Sequence, residues 1–351
     1  ESVKIAEFLN AAVATTLQGL SAFPANSPLH TGMSFGCAAV PAAENAFKKC
    51  DAMLAVGTRF SEIGTASFGV EPPKNLVHID INADVFSANY PAAVTIQGDS
   101  KQVLTALLKA LQAMGEMKSD TESLRAAIKA DKQAYLDEWF KHDSKDRVNP
   151  ARFFTALRQQ LDDDAIVVAD DGNHTFLVAE LMPIHNARGF ISPTDFNCMG
   201  YAAPAVTAVK LANPEKQVVG IIGDGAFLMT CMETLTAASL EAGGVFFVFS
   251  DGELSQISQA QEIPYNRKTC TTLGNVKLEG VAMATGCEFV VINNDTEIED
   301  GIRQSLASAS QRKPVIVDVK IDYSKRTRFT KGMVKTNLER FTLGNKARFV
   351  G

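Results

Sequence analysis

Two short apolar runs, Val218–Ile222 and Val245–Phe249, each ending in an Asp-Gly turn, constrain this chain more than any other feature. The first runs into Gly223-Asp224-Gly225 and the second into Ser250-Asp251-Gly252, with a helical pattern from about Met229 to Glu241 between them. Five-residue apolar runs joined by a crossover of that length form one right-handed βαβ unit with parallel strands. Both aspartates then emerge at the carboxyl ends of neighbouring strands, where open α/β sheets bind their ligands, and the glycines permit close backbone approach. A single Gly-Asp-Gly is more often just a turn. Two at consecutive strand ends suit a hard cation: Asp224, Asp251 and a backbone carbonyl just beyond would hold Mg²⁺ and leave positions open for a diphosphate. The helix after Gly225 aims its free N–H groups the same way.

Further apolar runs at Ala165–Ala169, Phe289–Ile292 and Val315–Val319 lie at crossover spacing and extend this unit into a doubly wound sheet. Asn149 and Pro150 predict a helix through Gln160, with Asn149 as N-cap and Pro150 at the first helical position. Before them, Lys141–Pro150 is charged and turn-rich and reads as a linker, with residues 1–148 and 149–351 as the two domains. In the first domain, helical stretches alternate with Ala52–Val56 and Leu76–Ile81, again a parallel α/β rhythm, and Leu104 to about Lys141 reads as helical. The expected fold class is α/β with two doubly wound parallel-sheet domains, the first Rossmann-like. Glu1 stands in place of an initiator Met and Ser2–Phe8 run straight into a helical pattern, so the expectation is a start inside a domain that lacks its first strand, by truncation or cleavage.

The 34 Lys+Arg and 40 Asp+Glu are interspersed and leave a net charge of -6, which argues against a nucleic-acid partner or a polybasic membrane surface. No apolar stretch reaches the length of a membrane span. The six cysteines, Cys37, Cys50, Cys198, Cys231, Cys270 and Cys287, form no C-x-x-C pair and read as reduced thiols of a cytoplasmic protein.

Gly223-Asp224-Gly225, with Asp251 27 positions after Asp224, resembles the thiamine diphosphate (ThDP) motif of the acetolactate synthase family. The resemblance extends through Cys198-Met199-Gly200-Tyr201-Ala202-Ala203-Pro204, Met229, Glu233–Ala237, and Val77-His78-Ile79-Asp80-Ile81 in the first domain. It implies that the first domain is the family's central domain and the second its C-terminal ThDP-binding domain. It further implies Mg²⁺ held by Asp224, Asp251 and the main-chain carbonyl of Glu253. Gly225 and Ala226 N–H groups, Asn173 and His174 would meet the diphosphate. Met199 would wedge under the cofactor, and backbone groups at Asn197 and Met199 would meet its aminopyrimidine; Cys198 and Leu254 complete the implied set. Alone, Met199 would read as a core residue and His174 as a cap or a satisfied histidine.

The cofactor carries the carbanion chemistry while the protein supplies binding, orientation and electrostatics. Family members add a glutamate against the pyrimidine from an N-terminal domain across a dimer interface, and no segment here corresponds to that domain. The implied assembly is a homodimer or homotetramer acting on a small 2-oxoacid. FAD, bound by some members, is not expected: Arg59-Phe60-Ser61-Glu62-Ile63 lacks the second arginine of their Arg-Phe-Asp-Asp-Arg stretch, although Asp80 and Asp99 fall at flavin-contact positions. The family's acceptor-pocket tryptophan is replaced by Ala260, so the acceptor is left open. Three readings follow: carboligation that turns pyruvate into acetolactate and CO₂, simple 2-oxoacid decarboxylation, or a non-catalytic ThDP-binding module. A phosphotransferase is disfavoured by the absence of a G-x-x-x-x-G-K-[ST] loop.

Overall fold

The computed structural model describes residues 1–33, 38–115, 121–194, 196–332, 334–336 and 338. They fall into two compact units, Glu1–Tyr135 with the described residues from Arg328 onward, and Leu136–Thr327. Both are α/β units with parallel strands.

The first unit begins with helix α1 (Ser2–Leu9), strands β1 (Val13–Thr15) and β2 (His30–Met33), and helix α2 (Pro41–Lys48). Strands β3 (Ala52–Val56), β4 (Asn75–Asp80) and β5 (Val94–Gln97) lead into α3 (Ser100–Ala113) and α4 (Thr121–Phe140). β1 pairs with β2, and β3, β4 and β5 form a separate sheet in that order. Ile5 of α1, Ile79 of β4 and Leu104 of α3 form one core cluster; Ala55, Phe60 and Leu76 form another. The Asp99 carboxylate caps α3 by accepting from the Gln102 N–H at 3.0 Å. Residues 116–120, within the expected helical stretch Leu104 to Lys141, lie outside the described residues.

The second unit contains α5 (Pro150–Gln160), β6 (Ile166–Ala169), α6 (Asn173–Leu181), β7 (Phe190–Ile191) and α7 (Ala202–Ala212). Then come β8 (Val218–Gly223), α8 (Asp224–Thr230), α9 (Thr234–Ser239) and β9 (Val245–Phe249). α10 (Ser255–Tyr265), α11 (Leu278–Thr285), β10 (Glu288–Ile292), α12 (Ile298–Ser310) and β11 (Val315–Val319) complete it. Asn149 and Pro150 start α5 as the sequence predicts: the Asn149 side chain accepts from the Ala151 N–H at 2.9 Å. The segment before α5 belongs to this unit, because Val148 pairs with Ile321 just past β11, and the Asn149 amide donates to the carbonyls of Trp139 and His142.

The six strands stand in the order β10-β11-β9-β8-β6-β7, all parallel. β6, β9 and β11 are buried along their whole length, as continuous apolar runs are when helices cover both faces. Phe153 of α5 packs edge-on against Phe247 and Phe249 of β9, with ring centroids 5.2 and 5.1 Å apart. From β6 the chain moves outward to β7, then returns to place β8 on the other side of β6. That reversal opens a crevice at the carboxyl ends of β6 and β8, the position where doubly wound sheets bind ligands. The predicted helix from Met229 to Glu241 is broken: α8 begins at Asp224, and a 3₁₀ turn at Cys231–Glu233 separates it from α9.

Candidate cofactor site

A cavity of about 110 Å³ opens at this crevice. The end of β6 contributes Asp171, Gly172, Asn173 and His174; the end of β8 contributes Gly223, Asp224, Gly225 and Ala226; the end of β9 contributes Asp251, Glu253 and Leu254. Met199 and Tyr323 complete the wall used below. Of the residues predicted from sequence, Asn197 and Cys198 do not line this cavity.

The two Asp-Gly turns are built on one another. The Asp224 carboxylate accepts from its neighbour Gly225 N–H at 2.8 Å, and its other oxygen accepts from Gly252 N–H at 2.8 Å and Asp251 N–H at 3.2 Å. Burial pushes the Asp224 carboxyl up from its ordinary value, and these three N–H donors oppose the shift. Asp251 is pushed up to about 6 by burial, then by the charge of Asp224, while the Ser255 hydroxyl hydrogen-bonded to it acts the other way. Two neighbouring carboxylates whose charged forms burial disfavours are the arrangement a divalent cation relieves. No group of three or more His, Cys, Asp or Glu is placed to hold a metal among the described residues, so a third protein ligand would be an oxygen of another kind, such as a main-chain carbonyl. The Glu253 side chain is committed elsewhere, to Lys268 at 3.0 Å and the Ser258 hydroxyl at 3.0 Å, which leaves its main-chain carbonyl for that part.

His174 sits at the start of α6 with its ring buried between glycines. A Cβ at Gly172 would lie 2.7 Å from the ring and force it to shift, and one at Gly223 would crowd it at 3.0 Å, so glycine at both positions makes room for the ring. Burial lowers the imidazole pKa to about 3, which keeps the ring neutral. Its Nε2 is buried with no partner among the described residues. Gly225 has the same logic: a Cβ there would meet Leu254 Cδ2 at 2.6 Å.

Met199 is held by a residue the sequence did not single out. The Asp170 carboxylate, fully buried at the end of β6, accepts from Gly200 N–H at 2.9 Å and Ala202 N–H at 2.7 Å. Those bonds pin the turn in which Asn197 and Gly200 both take positive φ, 56° and 85°. The Asn197 N–H is spent on the Pro193 carbonyl at 2.8 Å. Asp170 was illegible because an Asp-Asp-Gly after an apolar run reads as a turn, and its partners lie about 30 residues further on.

Against known proteins, residues 170–319 match the model "Thiamine pyrophosphate enzyme, C-terminal TPP binding domain" and residues 1–107 match "Thiamine pyrophosphate enzyme, central domain". The first match runs from Asp170 to the last residue of β11 and takes in every strand-end residue of the cavity. The chain belongs to the thiamine pyrophosphate enzymes.

Within this family the chain is similar to proteins described as acetolactate synthase large subunits. It is 31% identical over 334 residues to the "Probable acetolactate synthase large subunit" of Methanocaldococcus jannaschii, covering 92% of this chain and 55% of that protein. It is 28% identical over 324 residues to the "Acetolactate synthase large subunit" of Haemophilus influenzae, with 92% and 56% covered. It is also 28% identical over 322 residues to the "Acetolactate synthase isozyme 3 large subunit" of Escherichia coli, with 91% and 56% covered. The chain thus spans about half the length of the curated relatives it matches. The cavity fits the phosphate end of thiamine diphosphate: a carboxylate pair for a bridging cation, an unpartnered buried imidazole nitrogen, and glycine backbone open to close approach.

Proposed function

We propose that the second unit binds thiamine diphosphate together with Mg²⁺, and that the protein serves 2-oxoacid decarboxylation with carboligation, forming acetolactate, the product in its relatives' names, from pyruvate. The observation that carries this reading is the convergence of Asp224, Asp251, His174 and Met199 on one cavity at the sheet's topological switch point. Asp224, Asp251 and the Glu253 carbonyl would hold the Mg²⁺. The N–H groups of Gly225 and Ala226, the Asn173 side chain and His174 Nε2 would meet the diphosphate. Met199, fixed through Asp170, would wedge beneath the cofactor, with backbone at Asn197 and Met199 against its aminopyrimidine, beside Cys198 and Leu254.

When bound, thiamine diphosphate supplies the carbanion chemistry. The chain's own residues bind and orient it, and the neutral His174 offers a hydrogen bond without adding charge. No residue here stands for the glutamate that the family resemblance puts against the pyrimidine, so these 351 residues alone should bind the cofactor without turning over pyruvate. That glutamate would come across an interface between copies of the full protein, hence a dimer or tetramer. FAD is left out of the proposal, since Asp99 caps α3 and Asp80 accepts from the Asn82 N–H at 2.9 Å.

No helix among the described residues is long and apolar enough to cross a membrane. Cys50, Cys198, Cys231, Cys270 and Cys287 are free thiols, in keeping with a cytoplasmic setting, and Cys37 lies outside the described residues.

The test is product analysis with pyruvate in the presence of a domain that supplies the pyrimidine-facing glutamate. Acetolactate supports the carboligase reading, acetaldehyde alone would replace it with a simple decarboxylase, and no product despite bound cofactor would leave a binding module.

A further inference from the structure

Tyr323 lies four residues beyond β11, outside every segment considered so far, yet its side chain lines the cofactor cavity. It also lines a neighbouring polar cleft of about 280 Å³ that shares Asp251, Glu253 and Ser255 with that cavity. The phenol oxygen is buried and has no hydrogen-bond partner among the described residues. Leaving a buried hydroxyl unsatisfied is destabilising, so its retention calls for an explanation.

The backbone around it is fixed. The Gln259 amide donates to the Tyr323 carbonyl at 3.1 Å, and Asp322 N–H donates to Val148 O at 3.0 Å. On its other side the Asp322 carboxylate accepts from Ser324 N–H at 2.8 Å and meets His142 Nε2 at 2.8 Å. The negative charges of Asp251 and Asp224 act on the phenol. Both carboxylates are already engaged: Asp224 by three backbone N–H groups, and Asp251 by the Ser255 hydroxyl and the Glu253 N–H. A proton donor is therefore held at the metal and phosphate end of the cavity with no acceptor until a ligand brings one.

We propose that Tyr323 is a further ligand-binding residue of this site, its hydroxyl donating a hydrogen bond to an anionic oxygen at the diphosphate end. The inference rests on the cofactor reading above and adds to it a residue on the β11 side of the cavity. It predicts that the site is closed on three sides by strand ends β6, β8 and β9, and on the fourth by this phenol.

The experiment is calorimetric titration of thiamine diphosphate, and separately of inorganic pyrophosphate, each with Mg²⁺, into the wild-type chain and Tyr323→Phe. A hydrogen bond to a charged acceptor sets the expected weakening at about 10-fold or more for both ligands. The melting temperature of the unliganded variant should be unchanged or higher, since the change removes an unsatisfied hydroxyl. Affinities within twofold of wild type would overturn the inference and leave the cofactor reading standing. So would a loss seen with thiamine diphosphate but absent with pyrophosphate, because the hydroxyl would then act away from the phosphate end. Lower stability with equal affinity would mark Tyr323 as structural and would also overturn it. Absence of any Mg²⁺-dependent binding by wild type would overturn the cofactor reading itself and this inference with it.

Discussion

The three-stranded sheet of the first unit and the six-stranded sheet of the second are both parallel, yet they are sealed to different degrees. β6, β9 and β11 are buried at every residue, whereas Leu54 and Val56 on β3 and Val94 on β5 remain 37%, 36% and 49% exposed. The difference teaches where rigidity is needed. A site assembled from the ends of three strands works only if those strands keep register to within about half an ångström, and helices on both faces enforce that. Nothing in the described residues of the first unit gathers polar side chains at a strand end in the same way: Asp99 is a cap, and His78 Nε2 lies 2.8 Å from the Thr58 carbonyl.

The contrast is broken most sharply by core truncation. Phe153→Ala removes a fully buried ring packed on Phe154, Phe247 and Phe249, and should cost about 3 to 5 kcal/mol. The partly exposed Leu54→Ala should cost less than about 1 kcal/mol. Urea unfolding followed by the emission of Trp139, the single tryptophan, reports the second unit, and circular dichroism reports both. Equal costs would mean the two sheets are not differently sealed.

A smaller effect comes with pH and is one the two units share, because burial holds His174 of the second unit neutral just as it does His30 of the first. His30 in the first unit is buried against Phe23, and burial followed by the charge of Lys132 lowers its pKa to about 3. The folded state thus holds the ring neutral, while the unfolded chain protonates it below about 6.5. Stability is complete above that value and is lost as the pH falls toward 3. From pH 7 to 5 the loss is about 2 kcal/mol. His30→Gln should flatten the melting-temperature slope over that range, and an unchanged slope would refute the assignment.

The smallest effect compares two N-caps. Asn149→Ala deletes the α5 cap and the donors to the Trp139 and His142 carbonyls, for about 1 to 2 kcal/mol. The exposed Asp99→Ala deletes only the α3 cap, for about 0.5 to 1 kcal/mol. Thermal melts of both variants check the order.

A different contrast governs what could be read from sequence. Ala52–Val56, Val245–Phe249 and Val315–Val319 are strands to the residue, because a short, predominantly apolar run bounded by turn residues reads as a strand, whether it ends buried like the last two or largely exposed like the first. β1, β2, β5 and β7 escaped notice: Val13–Thr15, His30–Met33 and Val94–Gln97 mix polar residues into three or four positions, and Phe190–Ile191 is only two residues long. The site divides similarly. Asp224 and Asp251 announce themselves because glycines flank them at strand ends. Asp170 and Tyr323 act through partners distant in the chain, and no local pattern marks such residues before the sheet order is known.

The most direct test of the central claim is titration of thiamine diphosphate into the wild-type chain, Asp224→Ala and Asp251→Ala, each with Mg²⁺ and again with EDTA, with melting curves to verify folding. The account predicts Mg²⁺-dependent binding by wild type, abolished by either substitution and by EDTA, with cooperative unfolding retained. Binding unaffected by EDTA, or undiminished in both variants, would contradict the assignment of the paired strand-end carboxylates as the metal and diphosphate anchor.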